Sequence, residues 1–108
     1  MTPLTADSFF EFVQAHRFAL VHFWASWNGH DVQMKAFLDM EIPAELRELV
    51  AIGSMEVDPP EHHDICRRLK IVNIPFLAFY RGGSLIGTVT GLGKREILER
   101  LDQLVAVS

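Results

Sequence analysis

The chain has 108 residues, of which 49% are hydrophobic and 22% charged, and its net charge is -4. This composition excludes a disordered segment and predicts one folded domain over residues 1–108. The acidic balance argues against binding to nucleic acids or anionic membranes, which needs clustered lysine and arginine side chains. The sequence starts without a signal-peptide pattern and its apolar runs are too short to span a membrane, so we expect a cytoplasmic protein.

The first half of the chain predicts two helical regions around a strand. Ser8, with Glu11 three residues later, has the spacing of a capping box and predicts the start of a short helix. Residues 18–24 are rich in β-branched and aromatic side chains and predict a buried strand. Apolar residues then recur every three or four positions over 30–42, which predicts a helix that Pro43 should kink or divide.

The second half predicts a strand at 50–57, a helix at 61–70, strands at 74–80 and 85–90, and a helix at 94–105. Gly82 and Gly83, between the last two strands, are a hairpin signal. Strand–helix–strand repeats imply parallel pairing, and the hairpin adds antiparallel pairing. We therefore predict an α/β fold, a three-layer α/β/α sandwich with a mixed central sheet of four strands, or of five if residues 3–4 form a short one.

The sequence contains one cysteine, Cys66, which excludes an intramolecular disulfide, a Cys-only zinc site and a two-thiol redox cycle within this chain. A free cysteine usually packs as a small hydrophobic residue. Arg67 and Arg68 beside it leave open the alternative that Cys66 is reactive, because positive charge favours the thiolate. His62 lies on the same helical face, but two ligands do not complete a tetrahedral metal site. We predict no metal site and no cofactor.

Five motifs, in one order and at similar spacing, resemble the thioredoxin family. They lie at 21–31, 57–58, 71–76, 81–83 and Gly91. The first resembles the family's active-site strand and turn, with W-N-G-H-D in place of W-C-G-P-C. The third resembles V-x-x-I-P-T, in which the proline is cis. The resemblance covers nearly the whole chain and implies a thioredoxin-like fold.

The departures from the family lie where its chemistry takes place. Asn28 and Asp31 stand where the resemblance implies the attacking and resolving cysteines, and neither can form a sulfur–sulfur bond. His30 replaces the intervening proline, His22 replaces a buried aspartate that accepts protons, and Ser54 sits near the position of that aspartate's lysine partner. We therefore expect no dithiol–disulfide oxidoreductase activity and no catalytic residue. The resemblance also implies that His22 points toward position 31, so we expect it to contact Asp31, because a buried imidazole needs a partner.

The function that these residues suggest is binding, by a redox-inactive domain, of a protein or an extended peptide. The groove that the resemblance implies consists of Trp27, Asn28, Gly29, His30, Ile74, Pro75, Phe76 and Gly91. Trp27 and Phe76 would supply its apolar contacts. Two alternatives stay open: a structural or assembly subunit that uses an edge strand or a helix face, and a thioredoxin-superfamily protein of cell redox homeostasis that uses Cys66 alone.

Overall fold

The computed structural model describes residues 1–91 and 93–106, in which most strands are followed by a helix. In chain order they are β1 (Thr2–Pro3), α1 (Phe9–Ala15), β2 (Phe18–Trp24), α2 (Gly29–Met40), α3 (Ala44–Leu49), β3 (Ala51–Glu56), a 3₁₀ turn (Pro60–His62), α4 (His63–Arg68), β4 (Phe76–Arg81), β5 (Ser84–Thr90) and α5 (Lys94–Val105). This order agrees with the order predicted from the sequence.

The strands form one sheet in the order β1-β3-β2-β4-β5. β3 runs parallel to both β1 and β2, whereas β4 is antiparallel to β2 and to β5. Because parallel neighbours need a crossover, α2 and α3 carry the chain from β2 back to the start of β3. The predicted three-layer α/β/α sandwich with a mixed sheet is confirmed, and the sheet has five strands.

Each face of the sheet carries its own apolar core. On one face, Leu20 of β2 packs among residues of α2, α3 and α5, such as Phe37 and Leu101. On the other face, Phe23 packs among residues of α1 and α4, with Phe9 as one of them. Successive residues of a strand point to opposite faces, so the two cores draw alternately on the same strand. β2 is therefore buried along nearly its whole length.

The start of α1 differs from the prediction. Ser8 makes no capping hydrogen bond to the helix. Instead, the Thr5 N–H donates to Ser8 Oγ at 2.9 Å and the Ser8 N–H donates to Thr5 Oγ1 at 3.3 Å. This reciprocal pair is the capping box, so the predicted box of Ser8 and Glu11 is wrong by one turn.

The other boundaries follow from residues with restricted backbones. Pro43 separates α2 from α3, as predicted. The helix predicted at 61–70 is shorter, because Lys70 adopts a left-handed φ of 57° just after α4 ends. β4 begins after Pro75, which cannot donate a ladder hydrogen bond. Gly82 and Gly83 have φ of 57° and 84°, as a two-residue hairpin turn requires.

Candidate functional site

One end of the sheet gathers most of the residues that the sequence analysis singled out. Trp27 follows β2 and Asp58 follows β3, while Ile74 precedes the antiparallel β4. The pairing of Phe23 with Phe76 places the end of β2 beside the start of β4. The turn before α2 and the loop before β4 are therefore neighbours.

Asn28 caps the helix that opens at this end. Its Oδ1 accepts a hydrogen bond from the Asp31 N–H at 3.1 Å, which satisfies one of the free donors of the first turn of α2. Asp31 lies in that first turn, where the helix dipole favours a negative charge. Both residues thus have a structural role in starting the helix.

Asp31 points inward from α2 and meets His22 of β2. His22 Nε2 lies 3.0 Å from Asp31 Oδ1, and Asp31 Oδ2 accepts the Ala25 N–H at 3.0 Å. Both side chains are buried, with exposures of 1% for His22 and 0% for Asp31. The expected contact is therefore confirmed, and the second carboxylate oxygen also holds the backbone that leads into the turn.

The protonation of this pair follows from its burial. Burial lowers the pKa of His22 below its ordinary value of 6.5, and a smaller contribution from the positive charge of Lys35 acts in the same direction. The hydrogen bond and charge of Asp31 oppose the shift without reversing it. At neutral pH the imidazole is thus neutral, and its Nε2 proton faces the carboxylate. His22 Nδ1 is enclosed and has no hydrogen-bond partner among the described residues.

Ser54 occupies the predicted place beside this pair. It is in register with His22 on the neighbouring strand β3, so the two side chains share one face of the sheet. Ser54 is half-buried. A serine hydroxyl carries no charge at this position, so it supplies no counter-charge to a buried carboxylate or imidazole.

Above the buried pair, Trp27 is 69% exposed. Its Nε1–H donates to Asp58 Oδ2 at 2.9 Å, which fixes the edge of the indole while the ring faces solvent. The hydrogen bond from Trp27 to Asp58 could not be predicted from the sequence, because a contact across 31 positions leaves no local signal. The exposure of Val72, which is 86% exposed in the loop before β4, was not predicted either.

The loop that ends at Pro75 forms the other side of this surface. The Ile74–Pro75 peptide bond is cis, and the Gly91 N–H donates to the Pro75 carbonyl oxygen at 2.9 Å. Gly91 has a φ of 85°, which favours glycine. Within residues 1–91 and 93–106, neither the N–H nor the C=O of Ile74 has a backbone hydrogen-bond partner.

One predicted groove residue does not belong to this surface. The Phe76 side chain is buried against Phe23, with ring centroids 5.9 Å apart, in the core beneath α1 and α4. The expectation that it supplies an apolar contact is wrong, because its position on β4 turns the ring inward. Pro75 is also buried, whereas Gly29 and His30 are exposed at the start of α2.

Cys66 lies away from this surface. It is half-buried against the core that contains Phe23, and burial raises the pKa of its thiol. Arg67 and Arg68, both largely exposed, lie 3.0 and 3.6 Å from the Asp64 carboxylate, with which they form ion pairs. The charges that would favour a thiolate are therefore engaged elsewhere.

His62 is held by the backbone of β3. Its Nδ1 lies 2.7 Å from the Glu56 carbonyl oxygen. Within the described part of the chain, no group of three or more His, Cys, Asp and Glu side chains is placed to hold a metal ion. Nor does any described helix have the length and apolar character needed to cross a membrane.

Comparisons with known proteins agree with this architecture. The chain is 29% identical over 104 residues to the bifunctional thioredoxin reductase/thioredoxin of Mycobacterium leprae, covering 94% of this chain and 22% of that protein. It is 28% identical over 100 residues to a thioredoxin of Mycolicibacterium smegmatis, covering 91% and 88% of the two chains. The chain thus spans about a fifth of the first relative and most of the second.

A solved structure and a family profile complete the comparison. Oxidized mitochondrial thioredoxin 3 of Saccharomyces cerevisiae shares the fold with a TM-score of 0.84 at 22% identity, over 95% of this chain and 94% of that one. The thioredoxin family profile matches residues 1–103. This chain therefore belongs to the thioredoxin family.

Proposed function

We propose that this protein is a redox-inactive thioredoxin-family domain that binds an extended peptide segment of a partner protein at the surface between Trp27 and Ile74. The observation that carries the proposal is the buried pair of His22 and Asp31. Asp31 stands where the family resemblance implies the resolving cysteine, and its carboxylate already accepts hydrogen bonds from His22 and from the Ala25 backbone. This position therefore supports the fold and has no role in thiol exchange.

The remaining groups argue against sulfur chemistry in this chain. Thiol–disulfide exchange needs a thiolate that attacks and a thiol that resolves the mixed disulfide. Asn28, at the first of these positions, is an amide that caps α2. Cys66 packs on the opposite face of the sheet from Asp31, and its raised pKa keeps it protonated at neutral pH.

The exposed side of the same turn retains features that suit recognition. The Trp27 indole is already fixed by Asp58, so little conformational freedom is lost when a ligand packs against it. Exposed aromatic rings often dominate the energy of small interfaces. Val72 adds apolar surface in the neighbouring loop, and the Ile74 backbone groups can pair with a strand-like ligand. An extended peptide with apolar side chains fits these features.

A peptide-display selection on the folded domain tests this proposal. We expect selected extended peptides to bind at least about tenfold more weakly to Trp27→Ala, because the principal apolar contact is removed. Met40→Ala is the matched control, since Met40 is 76% exposed at the other end of α2. It should leave the affinity unchanged.

Two results would contradict the proposal. One is a peptide affinity that survives both Trp27→Ala and Val72→Asp. The other is the loss of binding in Ile86→Asp alone, which would assign recognition to the edge strand β5 and favour an assembly subunit. Circular dichroism of each variant separates lost binding from lost folding.

A further inference from the structure

A second site lies at the hairpin end of the sheet, away from the surface around Trp27. β4 begins beside that surface at Phe76 and ends at Arg81, five steps of about 3.3 Å away. Between this end of β4, the adjoining part of β5 and α5 lies a cavity of about 210 Å³. Its lining includes the side chains of Arg81, Arg100 and Gln103.

Arg81 enters the cavity as a poorly satisfied cation. Its Nη2 has one long hydrogen bond, 3.4 Å, to the Leu104 carbonyl oxygen. Its Nε is enclosed and lacks a hydrogen-bond partner among the described residues. Because Nε is enclosed, an acceptor in the cavity would meet this guanidinium at its terminal nitrogens, where the long Nη2 bond leaves donor capacity unused.

Arg100 reaches the same cavity beside an irregularity of β5. Phe79 pairs with Gly87 and Tyr80 pairs with Leu85, which leaves Ile86 as an extra residue in a β-bulge. A Cβ atom at Gly87 would lie 2.8 Å from Arg100 Nη1, so the absence of a side chain at Gly87 lets this guanidinium lie close against the strand.

Among residues 1–91 and 93–106, the charges that line the cavity do not balance. The one carboxylate that pairs with Arg100 in these residues is Glu96, at 3.6 Å and half-exposed, so this ion pair is weak. Arg81 has only the neutral carbonyl oxygen of Leu104 among its hydrogen-bond acceptors in the described ranges. Two guanidinium groups thus line a space that also has the apolar walls of Phe79 and Ile86. Apolar walls strengthen the attraction of such a pair for an anion.

We propose that this cavity binds a small oxyanion, of which inorganic phosphate is the simplest form. Planar guanidinium groups donate paired hydrogen bonds to phosphate and carboxylate oxygens, and the Gln103 amide adds a further donor. The cavity is below the size that organic ligands of drug size or larger occupy, which limits the ligand to a small anion or to the anionic group of a small metabolite. The proposal does not depend on peptide binding at Trp27.

An NMR titration of the full chain with inorganic phosphate tests the site, with chloride holding the ionic strength constant. We expect saturable shifts of the Gly87 amide and of the Arg81 Nε–H resonance. Arg100→Gln should weaken binding at least about tenfold. Arg95→Gln is the matched control, because Arg95 is 94% exposed on the same helix and should not affect affinity.

Gly87→Ala tests whether phosphate binding depends on the position of the Arg100 guanidinium as well as on its charge. The added methyl group would push Arg100 Nη1 aside without altering the net charge, so phosphate binding should weaken, but less than in Arg100→Gln. Glu96→Gln removes the competing carboxylate and should tighten binding. Parallel titrations with acetate and with a phosphate monoester distinguish a free inorganic ion from the anionic group of a metabolite.

The proposal is overturned if phosphate gives no saturable shift up to tens of millimolar. It is also overturned if Arg95→Gln weakens binding as much as Arg100→Gln, since the effect would then reflect diffuse charge. Arg100 and Gly87 are only partly buried, so Arg100→Gln and Gly87→Ala should both fold. Their phosphate affinities then decide between these outcomes.

Discussion

The two sides of the turn between β2 and α2 differ in where their polar groups find partners. On the buried side, both oxygens of the Asp31 carboxylate are engaged within the chain, by His22 and by the Ala25 backbone. On the exposed side, the Trp27 ring faces solvent and the Ile74 backbone groups have no backbone partner in the described residues. Substitutions on the buried side should therefore change stability, and those on the exposed side should change binding.

The largest expected effect is a gain of disulfide-reductase activity in a variant with two cysteines in the turn. The wild-type protein should not reduce insulin disulfides. Asn28→Cys combined with Asp31→Cys places two thiols at the start of α2, where the helix dipole favours a thiolate. We expect weak but measurable turnover, because His22 and Ser54 are unsuited to handle the proton.

An insulin-precipitation assay measures this activity, with each single cysteine variant as a control. Wild-type reduction that disappears in Cys66→Ser would assign redox chemistry to this single thiol, contrary to the proposed function.

Asp31→Ala tests the buried side alone. Removing the carboxylate leaves the Ala25 N–H and the His22 Nε2–H without acceptors in a dry environment. We expect the free energy of unfolding to fall by about 1 to 3 kcal/mol, measured by urea denaturation. Asp39→Ala is the control and should change it little, because this carboxylate of the same helix is 41% exposed and its ion pair with the Met1 amino group is long, at 3.9 Å. A neutral Asp31→Ala would mean that the pair contributes nothing to the fold.

Asp58→Asn tests the exposed side. An amide oxygen can still accept the Trp27 hydrogen bond, but it lacks the charge that strengthens this bond. We expect peptide affinity to fall several-fold with little change in melting temperature. Thermal denaturation and peptide titration of the same variant check the two halves of this expectation. A large loss of stability would place Trp27 and Asp58 among the residues that hold the fold.

The smallest effect is a pH dependence that originates in His22. Its pKa is lower in the folded state than the ordinary 6.5, so the unfolded chain binds more protons in the window below 6.5. The free energy of unfolding should therefore decrease as the pH falls from neutrality through this window. His22→Gln should flatten that dependence, which urea denaturation at several pH values measures. An unchanged slope in this variant would assign it to other groups.

The sequence predicted the fold well where a single local signal decides the structure. β2 and α5 have the predicted bounds, and Pro43 divides the helix as expected. The start of α1 was predicted wrongly because Thr5, Ser8 and Glu11 offer two overlapping pairs at capping spacing. Only the observed hydrogen bonds show that the first pair forms the box.

The site was predicted less completely than the fold. The contact of His22 with Asp31 was predicted from the family resemblance, which places the two side chains together, and from the need of a buried imidazole for a partner. The direction of Phe76 could not be read from the sequence, because the first residue of a strand can face either core. The roles of Asp58 and Arg100 depend on contacts with residues distant in sequence, and a single sequence gives no signal for these.

The bulge at Ile86 has a consequence for self-association. β5 is an outer strand of the sheet, and its seven residues include no charged residue or proline that would discourage another strand from pairing. Leu85 and Ile86 are each about half-exposed, which would favour aggregation along a regular edge. The extra residue at Ile86 breaks the regular spacing of free backbone groups between Leu85 and Gly87. A second molecule would then find only short regular stretches on this edge, so we expect the irregularity to oppose extension of the sheet into fibrils.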